Sequence, residues 1–322
     1  MQQKEHATLT GDTEGHTPDF SICIPAYENI AAFSRCLESV LKQHTVNMEI
    51  IVSDDSSGGA IKEHVAQLGD TRVRYVHNSP AFGAPENWNA VLGLAKGRVV
   101  TLLHQDDWYR TPDVLATIYE AMNSSDAEVL IVGRALYQKG ACLGEYKIRP
   151  DLPARFLRGF PAQSLVVNRL GHPSVFFFKS KLKTVTYDES LTYFADTDYY
   201  NRLLGEAQRV EVCSTPLIGI MRGEQGQLSQ ACLAAPELLL DELFRLHEKY
   251  QLTTWDKGLT LSRCIVSHIR HFSVPSIGII FAVLWNRLPA GSFCLVWASA
   301  PFFALHMLYR FFYRIVLGKH WS

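Results

Sequence analysis

The stretch Phe20–Gln43, FSICIPAYENIAAFSRCLESVLKQ, decides how the rest of the chain is read. Its first six residues are an apolar run closed by proline, the pattern of a buried strand. After the polar loop Pro25–Asn29, the apolar residues Ile30, Phe33, Leu37, Val40 and Leu41 recur at helical spacing, so a helix with one greasy face follows. The alternation continues downstream. Glu49–Ser53 predicts a second strand, 60–68 a short helix, Arg72–Val76 a third strand and Pro85–Ala95 a helix stopped by Gly97. Arg98–Leu103 and Glu128–Gly133 predict further strands, and Thr111-Pro112-Asp113 a helix start in which Thr111 caps and Pro112 takes the first turn. Strands and helices alternating at this pace define the α/β class, with a mostly parallel sheet flanked by helices. Beyond it, Val175–Lys179, 209–213 and 217–221 read as strands, 196–205 as a helix, and Pro236–Tyr250 as an amphipathic helix carrying Leu239, Leu240, Leu243, Phe244 and Leu246.

In open parallel sheets, ligands bind beyond the carboxyl ends of the strands. Three loops stand there: Pro25–Asn29, 54–59 and 104–109. They carry Glu28, the pair Asp54-Asp55 and the pair Asp106-Asp107, with no base in the first two and only His104 beside the third pair. Carboxylates crowded past strand ends repel one another, a cost that a bound cation or hydrogen-bond donor offsets. Asp106-Asp107 suits a hard divalent ion whose other ligands are phosphate oxygens. A solvated loop is the plainer reading of either pair alone; two pairs after two strands of one sheet carry more weight. No G-x-G-x-x-G follows the first strand, which argues against a dehydrogenase. PAYEN also lacks the glycines and bases that a sugar nucleotidyltransferase places there for a triphosphate.

The opening stretch, EIIVSDDSS at 49–57 and NSPAFGAPENWNAVLGLAKGRVVTLLHQDDWYRTPDVL at 78–115 together resemble, in order and spacing, the family-2 glycosyltransferases of the GT-A fold, bacterial polysaccharide type. The resemblance covers about residues 20–230. It implies a nucleotide-sugar donor held by Pro25, Tyr27, Asp54, Asp55, Asn87, Asp106 and Arg222, with Asp55 accepting from the imide of uracil or thymine. It implies Mg²⁺ or Mn²⁺ on Asp106 and Asp107, and Asp196 of LTYFADTDYYNRLL as the catalytic base. The acceptor implied is a saccharide or lipid-linked saccharide, reached with inversion. Three positions depart from the family pattern: His104 replaces the first Asp of its D-x-D-D, Ala195 stands where Glu is common, and Glu224 where His is common. Asp196 has a bland alternative as a helix cap, Arg222 as a surface charge, His104 as a satisfied loop histidine, and Trp88 and Trp108 as packing residues. A subunit that binds a nucleotide sugar without catalysis is the alternative for the whole protein.

The chain has 322 residues, 47% of them hydrophobic, and a formal net charge of −1. That composition is neither disordered nor collagen-like, and near-neutrality argues against a nucleic-acid binder. The total hides a division. Residues 257–322 hold seven Lys and Arg and no Asp or Glu, so residues 1–256 carry −8. Leu288–Tyr309 is a run of 22 residues without formal charge between Arg287 and Arg310, followed by Phe311, Phe312 and Tyr313. About 20 apolar residues can span a bilayer, and arginines with aromatics favour the headgroup region. The organisation expected is a polar, flexible lead-in over 1–19, the catalytic domain over 20–230, linking helices over 231–273 and a basic hydrophobic segment over 274–322. That last segment would lie along the membrane or cross it once; packing on the body is the third possibility. The lead-in lacks the apolar core of a signal peptide, so the body is expected at the cytoplasmic face of the membrane. The seven cysteines form no C-x-x-C and read as reduced thiols.

Overall fold

The computed structural model describes residues 7–9, 17–44, 46–158, 161–166, 168–223, 227, 232, 235–268, 284, 287, 296 and 301. The chain divides into two compact units, the first comprising Met1–Pro153, Leu170–Glu189 and Arg202–Glu224, the second Ala154–Arg169, Ser190–Asn201 and Gln225–Ser322.

The first unit is built on a ten-stranded sheet. A short strand β1 (Ala7–Leu9) is followed by β2 (Phe20–Ala26), α1 (Ile30–Leu41), β3 (Met48–Asp54), α2 (Ala60–Leu68), β4 (Val73–His77), α3 (Ala84–Gly93) and β5 (Val99–Leu102). These give the parallel array β4-β3-β2-β5. Every residue of β2 and β5 is buried, as strands covered on both faces must be. β1, inside the stretch read as a lead-in, pairs antiparallel with β4.

The other half of the sheet departs from the parallel expectation. It contains β6 (Trp108–Tyr109), β7 (Val129–Gln138), β8 (Ala141–Tyr146), β9 (Phe176–Lys179) and β10 (Val210–Met221), with α4 (Val114–Ser125) before β7. β9 runs antiparallel between β5 and β7, β8 forms a hairpin with β7, and β6 pairs antiparallel with β10. The sheet is therefore mixed: β9 enters between β5 and β7 and runs against both. The two short strands predicted at 209–213 and 217–221 are one strand, β10, parallel to β7 with register shifts on both sides of Pro216. Proline has no N–H to give to the ladder, so the register slips there and pairing resumes beyond it. Gly133 faces this irregularity; a Cβ there would lie 2.6 Å from the Ser214 carbonyl oxygen.

α4 also differs from expectation. It begins at Val114, and Thr111 does not cap it. The Thr111 and Pro112 carbonyls instead accept from the Gln43 side chain (2.7 Å) and the His44 N–H (3.2 Å), and Gln43 Oε1 takes the Leu115 N–H at 3.0 Å. A glutamine just past α1 thus does the capping from 72 residues away in sequence.

In the second unit are α6 (Pro161–Val166), most of α5 (Leu152–Arg158) and the first turns of α7 (Ala195–Glu206). α8 (Pro236–Lys249) and α9 (Thr254–His268) complete it. Leu239, Leu240, Leu243 and Leu246 are buried along α8, as their spacing predicts. His247 Nε2 and Thr260 Oγ1, 2.7 Å apart, join α8 to α9. Most of the basic hydrophobic segment over 274–322 lies outside the described residues; among those that are described, no helix is long and apolar enough to cross a membrane. Among the described residues, six cysteines are free thiols.

Candidate functional site

The ends of β2, β3 and β5 bring the three acidic loops together, and hydrogen bonds between the loops fix them. Glu28, in the left-handed region at φ 53°, accepts from the N–H and hydroxyl of Ser57, while its own N–H goes to Ser56 Oγ at 2.7 Å. Gln105 clamps the Tyr27 backbone from both sides, accepting from its N–H at 3.0 Å and donating to its carbonyl at 2.8 Å. The Tyr27 ring is left 59% exposed, available to a flat ligand. Pro25 is buried within β2.

Asp54 and Asp55 differ in role. Asp54 is fully buried, with one carboxylate oxygen accepting from the Tyr75 hydroxyl at 2.8 Å and the other from the Ser56 N–H at 2.9 Å. It holds the loop. Asp55 accepts from Asn78 Nδ2 at 2.8 Å and from the Gly83 N–H at 2.9 Å, which leaves each oxygen acceptor capacity. Asn87 is 3% exposed; it donates to the Ser53 carbonyl and accepts from the same Asn78 amide. Asn78, itself bonded to Asn87, therefore braces Asp55.

His104, Asp106 and Asp107 form the one cluster of potential metal-ligating groups among the described residues, their ligand atoms all within 4.8 Å of one another. Asp107 is 1% exposed. Burial, then the neighbouring Asp106, push its carboxyl well above the usual range; Ser174, the Met221 N–H and Arg35 pull the other way. Ser174 is the support that sequence reasoning missed. Fully buried, its hydroxyl donates to Asp107 Oδ2 at 2.5 Å and accepts the His104 N–H at 3.0 Å. His104 packs against Trp88, ring centroids 5.1 Å apart and planes tilted by 34°, and burial lowers its pKa against the pull of Asp106. Its Nε2 is buried without a hydrogen-bond partner among the described residues. A neutral imidazole with an unused nitrogen beside two carboxylates is a donor set that fits a divalent ion. Arg222 follows β10 directly, one residue beyond the Met221 N–H that bonds Asp107. His172 is held neutral, down to about 3, by burial and by Arg134, His104 and Arg222.

Asp196 belongs to the second unit. Ala195 opens α7, so Asp196 stands within the first turn, not ahead of it as a cap would. Its Oδ1 is buried without a partner among the described residues, and burial raises its carboxyl to about 7. The backbone that leads to it is clamped by α8. Glu242, 1% exposed, accepts the N–H groups of Thr192, Tyr193 and Phe194 at 2.8–3.2 Å. Asp198 accepts from Lys249 at 2.9 Å and the Tyr250 hydroxyl at 3.0 Å. The second acid of ADTD thus anchors the helix while the first stays uncommitted.

The Glycosyl transferase family 2 pattern matches residues 21–182, which contain all three acidic loops and Ser174. The chain belongs to that family. It is 27% identical over 216 residues, 65% of this chain and 75% of the relative, to the putative colanic acid biosynthesis glycosyl transferase WcaA of Escherichia coli. It is 36% identical over 87 residues, 27% of this chain and 34% of the relative, to the Escherichia coli UDP-Glc:alpha-D-GlcNAc-diphosphoundecaprenol beta-1,3-glucosyltransferase WfgD. The matched region spans about a third of the length of WfgD and of several other curated relatives. In fold, the chain is similar to residues 1–349 of Staphylococcus aureus TarS in complex with UDP-GlcNAc, with a TM-score of 0.60 at 13% identity over 94% of this chain and 93% of that one. The architecture is thus GT-A-like.

Proposed function

We propose that the protein is an inverting glycosyltransferase that moves a sugar from a UDP- or dTDP-linked donor to a hydroxyl of a diphosphate-lipid-linked saccharide, in the synthesis of a bacterial cell-surface polysaccharide. The observation that carries this reading is the His104, Asp106 and Asp107 cluster at the carboxyl end of β5, beside Asp55, in a family-2 chain. Asp55 with free acceptor capacity suits the imide N–H of uracil or thymine, and the exposed Tyr27 ring suits stacking on the base. Asp106 and Asp107, with His104, would hold Mg²⁺ or Mn²⁺, which supplies positive charge against the leaving diphosphate. Arg222 adds a second cation there. Asp196, with a carboxyl near neutrality, takes the proton from the attacking acceptor hydroxyl. Attack opposite the leaving group in one displacement inverts the anomeric centre. The lipid-linked acceptor is drawn from the relatives whose names carry diphosphoundecaprenol. The acid-free segment 257–322 suits attachment to anionic lipid at the cytoplasmic face.

Calorimetric titration with UDP, dTDP and GDP, with and without Mn²⁺, tests the donor site. UDP or dTDP should bind more tightly with the ion, and Asp107→Ala should reduce that gain by about tenfold or more. A metal-dependent affinity unchanged in Asp107→Ala would remove this residue from the ion's site.

A further inference from the structure

Beside the acidic crevice lies a cavity of about 480 Å³ with the opposite charge, within the 300–1,000 Å³ range of small-molecule sites. Its walls include Arg35 from α1, Lys139 from the turn between β7 and β8, and Arg222 from just beyond β10. Trp108, Tyr137 and Met221 supply the apolar surface, and no Asp or Glu is among the described residues that line it. The Arg35 guanidinium lies 5.0 Å over the Trp108 ring, and the Trp108 and Tyr137 rings are 4.8 Å apart. The Arg222 N–H is fixed to the Tyr137 carbonyl at 2.8 Å. Glu145, the acid on the neighbouring strand β8, is paired with Arg110 at 2.8 Å. Arg35 is turned in part to the acidic crevice, donating to the Asp106 carbonyl at 3.2 Å; Lys139 and Arg222, brought beside it by two other segments, add positive charge whose mutual repulsion a bound anion offsets. Of the residues placed at the donor, only Arg222 lines this cavity; together with Met221, which forms the cavity wall and whose N–H bonds Asp107, it joins the two sites.

We propose that this basic cavity receives the diphosphate of the acceptor, next to the acidic crevice that receives the donor. The proposal rests on the reading of the acceptor as a diphosphate-linked saccharide. The flanking aromatic surface suits the sugar ring attached to that diphosphate. The test is calorimetric titration of the full chain, saturated with UDP and Mn²⁺, with octyl N-acetylglucosaminyl diphosphate and with the neutral octyl N-acetylglucosaminide. The diphosphate probe is expected to bind about tenfold or more tightly than the neutral one. Lys139→Gln, at an exposed turn where folding is safe, should weaken the diphosphate probe roughly three- to tenfold and leave UDP–Mn²⁺ and the neutral probe unchanged. Equal affinity for the two probes overturns the proposal. So does an equal loss of UDP–Mn²⁺ and probe affinity in Lys139→Gln, which would assign the cavity to the donor. Failure of UDP to bind at all would strike the donor reading instead, and the same titration without nucleotide would still read the cavity.

Discussion

Asp107 and Asp196 show how burial raises a carboxyl's pKa. Both are pushed upward chiefly by loss of water, but only Asp107 has a dedicated hydroxyl beneath it. Ser174→Ala leaves the His104 N–H and Asp107 Oδ2 each short of a partner in a dry site. The expected cost is about 1–3 kcal/mol in urea unfolding, with Mn²⁺ affinity reduced several-fold by calorimetry. Unchanged stability together with unchanged Mn²⁺ affinity would show that Ser174 is not the support described. For Asp196, a carboxyl at about 7 has a direct kinetic consequence. If Asp196 is the base, it must be ionised to accept a proton, so kcat should rise roughly tenfold from pH 6 to pH 8 and level off above. A kcat flat over that range would mean that the proton goes elsewhere.

α8 is the element whose role in the site was least legible. Its apolar positions are plain in the sequence, but Glu242 falls among them as one more charge on an amphipathic helix. Only the fold shows this carboxylate gathering three successive N–H groups just ahead of Asp196. Glu242→Gln replaces one acceptor oxygen by a donor facing those N–H groups. Stability should fall by about 2 kcal/mol or more, and kcat should drop further than donor affinity if Asp196, to which the disturbed segment leads, is the base. Equal losses in kcat and donor affinity would reduce Glu242 to a general structural role. The same limit explains the other differences. Strands and helices through β5 were legible because each carries its own periodicity. The cap of α4 was not, because Gln43 supplies it from a distant segment, and the continuity of β10 was hidden because Pro216 is locally a strand breaker. The pairs Asp54-Asp55 and Asp106-Asp107 stand out by their place past strand ends, whereas Asp196 stands out only through the resemblance to family-2 glycosyltransferases. Ser174, Gln105, Asn78 and Glu242 do not stand out, because what they do depends on partners remote in sequence.

Across the whole protein, charge is divided unevenly. Residues 1–256 carry −8, part of it in the three acidic loops, and 257–322 carry +7 with no acid. If the basic segment attaches the protein to lipid, the full chain should float with vesicles containing anionic phosphatidylglycerol, and not with phosphatidylcholine alone, in low salt. Equal recovery with both would argue against electrostatic attachment. The basic cavity and the acidic crevice repeat the same division within one unit, and the crevice is what the central claim rests on. The most direct test is a transfer assay with Mn²⁺, UDP- and dTDP-sugars and octyl N-acetylglucosaminyl diphosphate, comparing the wild type with Asp196→Asn. The expected result is a glycosylated product of inverted anomeric configuration from the wild type. The variant should bind the donor normally and turn over at least about a hundredfold more slowly. Near-normal turnover in Asp196→Asn, or a product that retains the donor's configuration, would contradict it.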